Sequence, residues 1–149
     1  MTVTYKILGP GDSAIARALT HWFQTDDGIA EPNIPTTTYM ENLLQKDDFH
    51  IIVAYSGEQI IGGVTGYEME MYMQETRELF LYEIGVHEGF RQRGIAKTLI
   101  GMLKDICMKR GVSAMYVGTW EGNEAAERLY AGSGGKRELI PWFTFDFNK

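Results

Sequence analysis

"GFRQRGIAKTLI", Gly89 to Ile100, is the stretch on which the reading of the chain turns. Two glycines and two arginines stand directly before an apolar run at helical spacing, in a chain whose net charge is -6 and whose pI is near 5.0. A glycine-rich turn that opens a helix leaves backbone N–H groups without partners and sets them at the positive end of the helix dipole. With arginine beside them, such groups make an anion site suited to phosphate. The spacing predicts a helix from Ile95 that buries Ile95, Leu99, Met102, Leu103 and Ile106 and is stopped by Gly111. Upstream, "ELFLYEIGV", residues 78 to 86, is β-rich and apolar enough for a central strand, so the loop joins strand to helix.

Two phosphate-loop patterns compete for these residues. Gly89 and Gly94 have the four-residue gap of a P-loop, but Lys97 and Thr98 come two residues too late. Ile95 and Ala96 stand where the lysine and hydroxyl are needed, and the P-loop reading fails. The pattern Arg/Gln-x-x-Gly-x-Gly/Ala, a pyrophosphate loop for coenzyme A, is met at every fixed position by Arg91, Gly94 and Ala96. The plain alternative is a helix start flanked by solvated arginines.

Around this centre the pattern alternates between strand and helix. "VTYKIL" reads as a first strand, and Asp12 caps a helix carrying Ile15, Ala18, Leu19, Trp22 and Phe23 on one face. Residues 25 to 35 read as a polar loop, and Thr38 with Glu41 as a capping box for a short helix ending near Lys46. "FHIIVAYSGEQIIGGVTGYEMEM" reads as two long strands turned at Ser56-Gly57-Glu58. After the central helix come a buried strand at "AMYVGT", a short helix at "NEAAERLYAG" and a final strand at "PWFTFDF". The fold class is mixed α/β, one domain over residues 1–149, with no internal repeat.

Composition excludes several classes. A chain of 149 residues with 44% hydrophobic content suits one globular core. No apolar run approaches the roughly 20 residues of a membrane span, and "MTVTYKILGPGD" lacks the layout of a signal peptide, so a cytoplasmic protein is expected. The single cysteine, Cys107, excludes an intrachain disulfide, and His21, His50 and His87 offer no pair at ligand spacing, so no metal is expected. The acidic balance speaks against nucleic acid and favours a cationic partner.

A second motif gives the loop a family. Asn123, Ala126, Leu129 and Tyr130 reproduce the Asn-x-x-Ala-x-x-Leu-Tyr helix that accompanies the pyrophosphate loop in GNAT N-acetyltransferases, and the chain resembles that superfamily. "ELFLYEIGV", "RQRGIAKTLIGMLK", "MYV", "LY", the early "LGP" and the ending "FDF" make it most similar to the type I aminoglycoside 3-N-acetyltransferases, from Leu8 to Phe147. It departs from them at Glu83, where they carry aspartate after an aromatic residue. It also departs at Asn123-Glu124-Ala125-Ala126, where they tend to Asp-Asp-Pro-Ala, and at Trp120, where they have aspartate. The resemblance implies the GNAT fold, a mostly antiparallel central sheet with splayed strands and flanking helices. It also implies acetyl-CoA as donor, CoA as product and direct acetylation of an aminoglycoside at its 3-amino group, an antibiotic-resistance activity. The rivals are acetylation of a peptide, polyamine or small metabolite, and a non-catalytic acetyl-CoA-binding module. A homodimer stays an open option.

Acetyl transfer needs an anchored donor, a neutral amine, support for the developing oxyanion and a proton for the leaving thiolate. Backbone amides of Arg93, Gly94, Ile95 and Ala96 are the expected pyrophosphate cradle, with Arg91 adding charge and Thr98 capping the turn or touching the phosphate. By resemblance, the central strand splays near Gly85, and free backbone groups at Ile84 and Val86 receive the pantetheine and polarise the thioester. By resemblance too, Tyr130 is the acid for the thiolate; a buried core tyrosine is the bland reading. Asn123 is either a helix cap or a pantetheine contact. Glu83, a carboxylate inside an apolar strand, is the expected general base unless Lys or Arg pairs with it. Glu121, Asp146, Asp26 and Asp27 are candidates for binding the cationic substrate, while Glu124 reads better as solvated surface. Cys107 reads as an inert core thiol and His87 as a solvated loop residue.

Overall fold

The structure is a computed structural model and describes residues 2–148. The chain divides into two compact units, Met1–Gly118 and Thr119–Lys149. The first holds a five-stranded sheet in the order β1-β2-β3-β4-β5: β1 (Val3–Ile7), β2 (Phe49–Ser56), β3 (Gln59–Glu70), β4 (Arg77–Val86) and β5 (Val112–Tyr116). All neighbours are antiparallel except β4 and β5, which run parallel and are therefore joined by a crossover helix. That helix is α3 (Ile95–Arg110); α1 (Ser13–Asp26) and α2 (Thr37–Leu44) lie between β1 and β2 in sequence. The result is the expected mixed, mostly antiparallel sheet flanked by helices.

Two glycines of β3 show how the layers close. A Cβ on Gly63 would lie 2.8 Å from the Leu19 side chain of α1, and one on Gly66 would lie 2.9 Å from Leu79 and 3.3 Å from Leu103 of α3. Positions three apart on a strand point to opposite faces, so α1 and α3 cover opposite sides of the sheet, each close enough to require glycine beneath it. On the α1 side Leu8, Ala16, Leu19, Met40, Leu44 and Phe49 form a core with Ile51 and Val53. On α3 the buried residues are Ile95, Leu99, Ile100, Leu103 and Cys107. Met102 and Ile106, expected on the stripe, are only partly buried; the helix turns its Ile100–Cys107 side inward instead. Burial first, and the nearby Glu68 charge second, raise the Cys107 thiol above its ordinary value, which suits an inert core residue.

Several boundaries differ from the sequence reading. Helix α1 runs through Asp26 because the chain first breaks at Gly28, whose φ of 83° lets its N–H return to the Thr25 carbonyl. Asp12 stands at the N-cap, but its carboxylate receives the Gly9 N–H and Lys6 rather than a helix amide. The cap of α2 is Thr36, which accepts the Tyr39 N–H, not Thr38 with Glu41: three consecutive threonines offer three registers, and Thr36 is the one with extended backbone. The β2–β3 hairpin turns at Gly57 as expected, with φ 60°. Strand β5 begins earlier than expected and has no buried residue, since it closes the order of the sheet.

The second unit contains α4 (Glu124–Gly132), which also has no buried residue. The expected final strand at "PWFTFDF" does not form: residues 135–148 carry no regular structure. Alternating aromatic residues give this segment strand character, but a strand needs a neighbour to take its hydrogen bonds, and the described pairings provide none. Among the described residues no helix is long and apolar enough to cross a membrane.

One buried charge network ties the sheet to α3. The Glu68 side chain is 1% exposed and accepts from His50 Nε2 and, at 2.5 Å, from Arg110 Nε; its other oxygen lies 3.9 Å from Arg77 Nε without a hydrogen bond. Burial alone would raise this carboxyl, but the hydrogen bonds and charges of Arg110 and His50 outweigh it and hold it below its ordinary value near 4.5. A depressed carboxylate stabilises the fold above its unfolded pKa and loses that contribution as pH falls through the folded one. Wild-type stability is therefore expected to decline below about pH 4.5. Glu68→Gln should flatten that decline and cost about 1–3 kcal/mol at pH 7, because it leaves the partly buried Arg110 guanidinium without its charged partner. Denaturant unfolding across pH 3–7, at about 25 °C, checks both.

Candidate functional site

The loop after β4 is built by short local bonds. His87 Nδ1 accepts the Gly89 N–H at 3.0 Å, so His87 caps the turn Glu88–Phe90 and is not merely solvated. Arg91 Nε donates to the Val86 carbonyl at 3.2 Å, which pins the loop to the strand end and uses one donor of the expected phosphate-binding arginine. Arg93 lies over the Phe90 ring at 5.3 Å. Gln92 and Gly94 both have positive φ, 61° and 77°, and turn the chain into α3.

The start of α3 is left open. Its N-cap is Gly94, which has no side chain to offer the first-turn amides, and no acidic residue occupies the first turn. A Cβ at Gly94 would meet nothing within 4 Å. Thr98 Oγ1 donates back to the Gly94 carbonyl at 2.9 Å, the capping alternative of its two readings. A 16-residue helix with an uncapped, unblocked N-terminus and two neighbouring arginines fits a pyrophosphate.

Beside the loop, the sheet opens. β4 pairs with β5 only as far as Phe80–Tyr116, so residues 81–86, including Ile84 and Val86, keep β3 as their sole partner strand among the described residues. The splay thus begins well before Gly85. Gly85 itself sits in register with Gly63 and is not a bulge; a Cβ there would stand 3.2 Å from the Trp22 ring, so this glycine admits α1. The bulge lies earlier. Val64 faces Ile84 and Gly66 faces Leu81, which leaves Thr65 alone opposite both Tyr82 and Glu83.

Glu83 is half-buried and no Lys, Arg or His forms an ion pair with it among the described residues. Its partner is Thr65, a residue the sequence reading passed over: the Thr65 hydroxyl donates to Glu83 Oε1 and accepts the Glu83 N–H at 3.1 Å. Tyr82 is exposed and meets Tyr67 edge-on at 5.9 Å, while Tyr67 also packs on Phe49. Burial, then the charge of Glu83, raises the Tyr67 phenol above its ordinary value. Register across a hairpin is what joins Thr65, Tyr67, Tyr82 and Glu83, and a linear motif does not display it.

Asp26 lines a cleft of about 650 Å³ together with His21, Trp22, Glu58, His87 and Glu88, which brings it near the start of the loop; Asp27 caps α1 outside that lining. In the second unit, Asn123 caps α4 by accepting the Ala126 N–H at 3.3 Å. Tyr130 is half-buried on α4, and burial raises its phenol. Glu121 is exposed and lies 3.9 Å from Arg137, which Glu127 holds at 2.5 Å. Asp146 is exposed and accepts the Asn148 N–H.

An open helix N-terminus after a strand that outruns its neighbour sets an anion-binding terminus beside unpaired strand backbone. The chain belongs to the acetyltransferase (GNAT) family, whose pattern it matches over residues 16–134, and acetyl-CoA is that family's donor. Solved structures share the fold. An aminoglycoside acetyltransferase from an uncultured soil metagenomic sample is 29% identical, with a TM-score of 0.93 over 99% of this chain and 100% of its own. A second one from such a sample, in complex with sisomicin, is 21% identical, with a TM-score of 0.90 over 98% and 97%. The aminoglycoside N-acetyltransferase AAC(6')-Iy in complex with CoA is 20% identical, with a TM-score of 0.77 over 98% and 95%. A comparison with curated proteins gives no match.

Proposed function

We propose that this protein is a single-domain enzyme that transfers acetyl from acetyl-CoA to the 3-amino group of an aminoglycoside in a ternary complex. The observation that carries this reading is the Glu83 carboxylate, which no cation among the described residues pairs with, on a bulge of the strand edge that β5 leaves unpaired. Acetyl-CoA supplies the acetyl group as a thioester. The amides of Arg93, Gly94, Ile95 and Ala96 hold its pyrophosphate with Arg91 nearby, and backbone groups of Ile84 and Val86 receive the pantetheine, with Asn123 as a further contact. Glu83 takes the proton of the attacking amine as the N–C bond forms, and Tyr130 gives a proton to the departing sulfur as the C–S bond breaks. Glu121, Asp146, Asp26 and Asp27 attract the polycation. The likeness in fold to aminoglycoside acetyltransferases supports the substrate class.

A cytoplasmic homodimer that confers antibiotic resistance completes the proposal; exposed Phe143, Phe145 and Phe147 supply apolar surface for a second subunit. The test is thiol release from acetyl-CoA against a panel of aminoglycosides, polyamines and peptides, with the acetylated nitrogen located by NMR. Turnover of aminoglycosides with acetyl on the 3-amino nitrogen is expected. Turnover confined to peptides or spermidine overturns the substrate, and acetyl-CoA binding without thiol release overturns the enzyme.

A further inference from the structure

We infer that Thr65 is a positioning residue for proton transfer, acting through Glu83; this rests on the reading of Glu83 as the base. The argument begins from the bulge, where one residue of β3 faces two of β4. Such an insertion leaves the extra residue without its usual ladder partner, and here the Glu83 N–H is taken by the Thr65 side chain instead. A hydroxyl has one proton and two lone pairs. With a lone pair of Thr65 Oγ1 occupied by that N–H, its single proton is directed to Glu83 Oε1. Thr65 is 7% exposed, so water competes poorly for the hydroxyl.

One side chain thus grips both ends of Glu83, backbone and carboxylate, and fixes its rotamer. Oε1 is held, and no described residue hydrogen-bonds to Oε2, which is left to take the amine proton. The grip is made by a neutral group. A lysine or arginine in the same place would orient the carboxylate equally well but would lower its basicity, whereas a hydroxyl orients with less of that loss. The bulge also sends Tyr82 out beside it, with Tyr67 against its edge, so the held carboxylate ends an aromatic ledge.

The test compares five variants in thiol release with the best amine acceptor. Thr65→Val keeps shape and strand preference but loses the hydroxyl, and should lower kcat by roughly 10–100-fold, as expected for a lost hydrogen bond to a charged group. The acetyl-CoA KM should stay within about three-fold, because uniform binding is untouched. Thr65→Ser should retain most of the activity, and Thr65→Ala, the second variant should valine fail to fold, should behave as valine does. In a Glu83→Gln background, Thr65→Val should change kcat by less than about two-fold, since the group it positions is gone. A Thr65→Val enzyme with wild-type kcat, a serine variant as slow as valine, or a full additional loss in the Glu83→Gln background overturns the inference and leaves the base reading intact. A Glu83→Gln enzyme with wild-type kcat overturns the base reading, and the inference falls with it.

Discussion

Gly94→Asp should abolish acetyl-CoA binding in a protein that still folds. The position favours a charge effect over a steric one: a Cβ there meets nothing within 4 Å. The φ of 77° is strained for a side chain, at about 1–2 kcal/mol, but aspartate is among the residues that visit this region most readily. An aspartate there would set its carboxylate close to the first-turn amides of α3, the groups a pyrophosphate would need. It would also set a negative charge against the incoming phosphates. Calorimetry should show no acetyl-CoA binding while thermal unfolding stays cooperative and within a few degrees of wild type. Gly94→Asn, which carries the same strain without the charge, should bind weakly rather than not at all. Wild-type affinity in Gly94→Asp would remove the pyrophosphate from this loop.

The contrast between what the sequence displayed and what it concealed has a physical basis. Helix α3 and its loop were readable because Gly94, the apolar stripe and Gly111 are consecutive signals on one element, each set by local backbone geometry. The Gly57 hairpin was readable for the same reason. The cap of α2 was misassigned because Thr36, Thr37 and Thr38 are chemically alike, and only backbone conformation selects Thr36. The bulge at Tyr82–Glu83 could not be read, because it is a property of two strands in register; Gly85, near which the resemblance places the splay, is there to admit Trp22. Thr65 was invisible for that reason: an unremarkable strand threonine meets its partner, Glu83, 18 positions away. The Glu68 network is of the same kind, joining β2, β3 and the end of α3. The aromatic alternation of residues 142–147 misled in the other direction, since strand character does not create a partner strand.

Tyr130→Phe should lower kcat by roughly 10²–10⁴-fold, the usual loss when a positioned proton donor is removed. Collapse of the tetrahedral intermediate expels a thiolate, and a phenol of pKa near 10 is a competent donor to a sulfur whose conjugate acid lies near 8.5. Burial raises the Tyr130 phenol further above its ordinary value of 10.0, so the hydroxyl remains fully protonated throughout the neutral range in which the amine must be free. As the proposed donor, Tyr130 therefore keeps its proton while the proposed base works, and the rate is not expected to fall on the alkaline side until pH approaches that raised value. Phenylalanine keeps the ring and its packing on α4, so acetyl-CoA affinity should remain within a few-fold and the unfolding midpoint within a few degrees. The loss should appear in kcat and in kcat/KM alike, the signature of an interaction made only in the transition state. A phenylalanine variant that turns over at the wild-type rate, with or without a change in stability, would make Tyr130 a packing residue and leave the thiolate to be protonated by water.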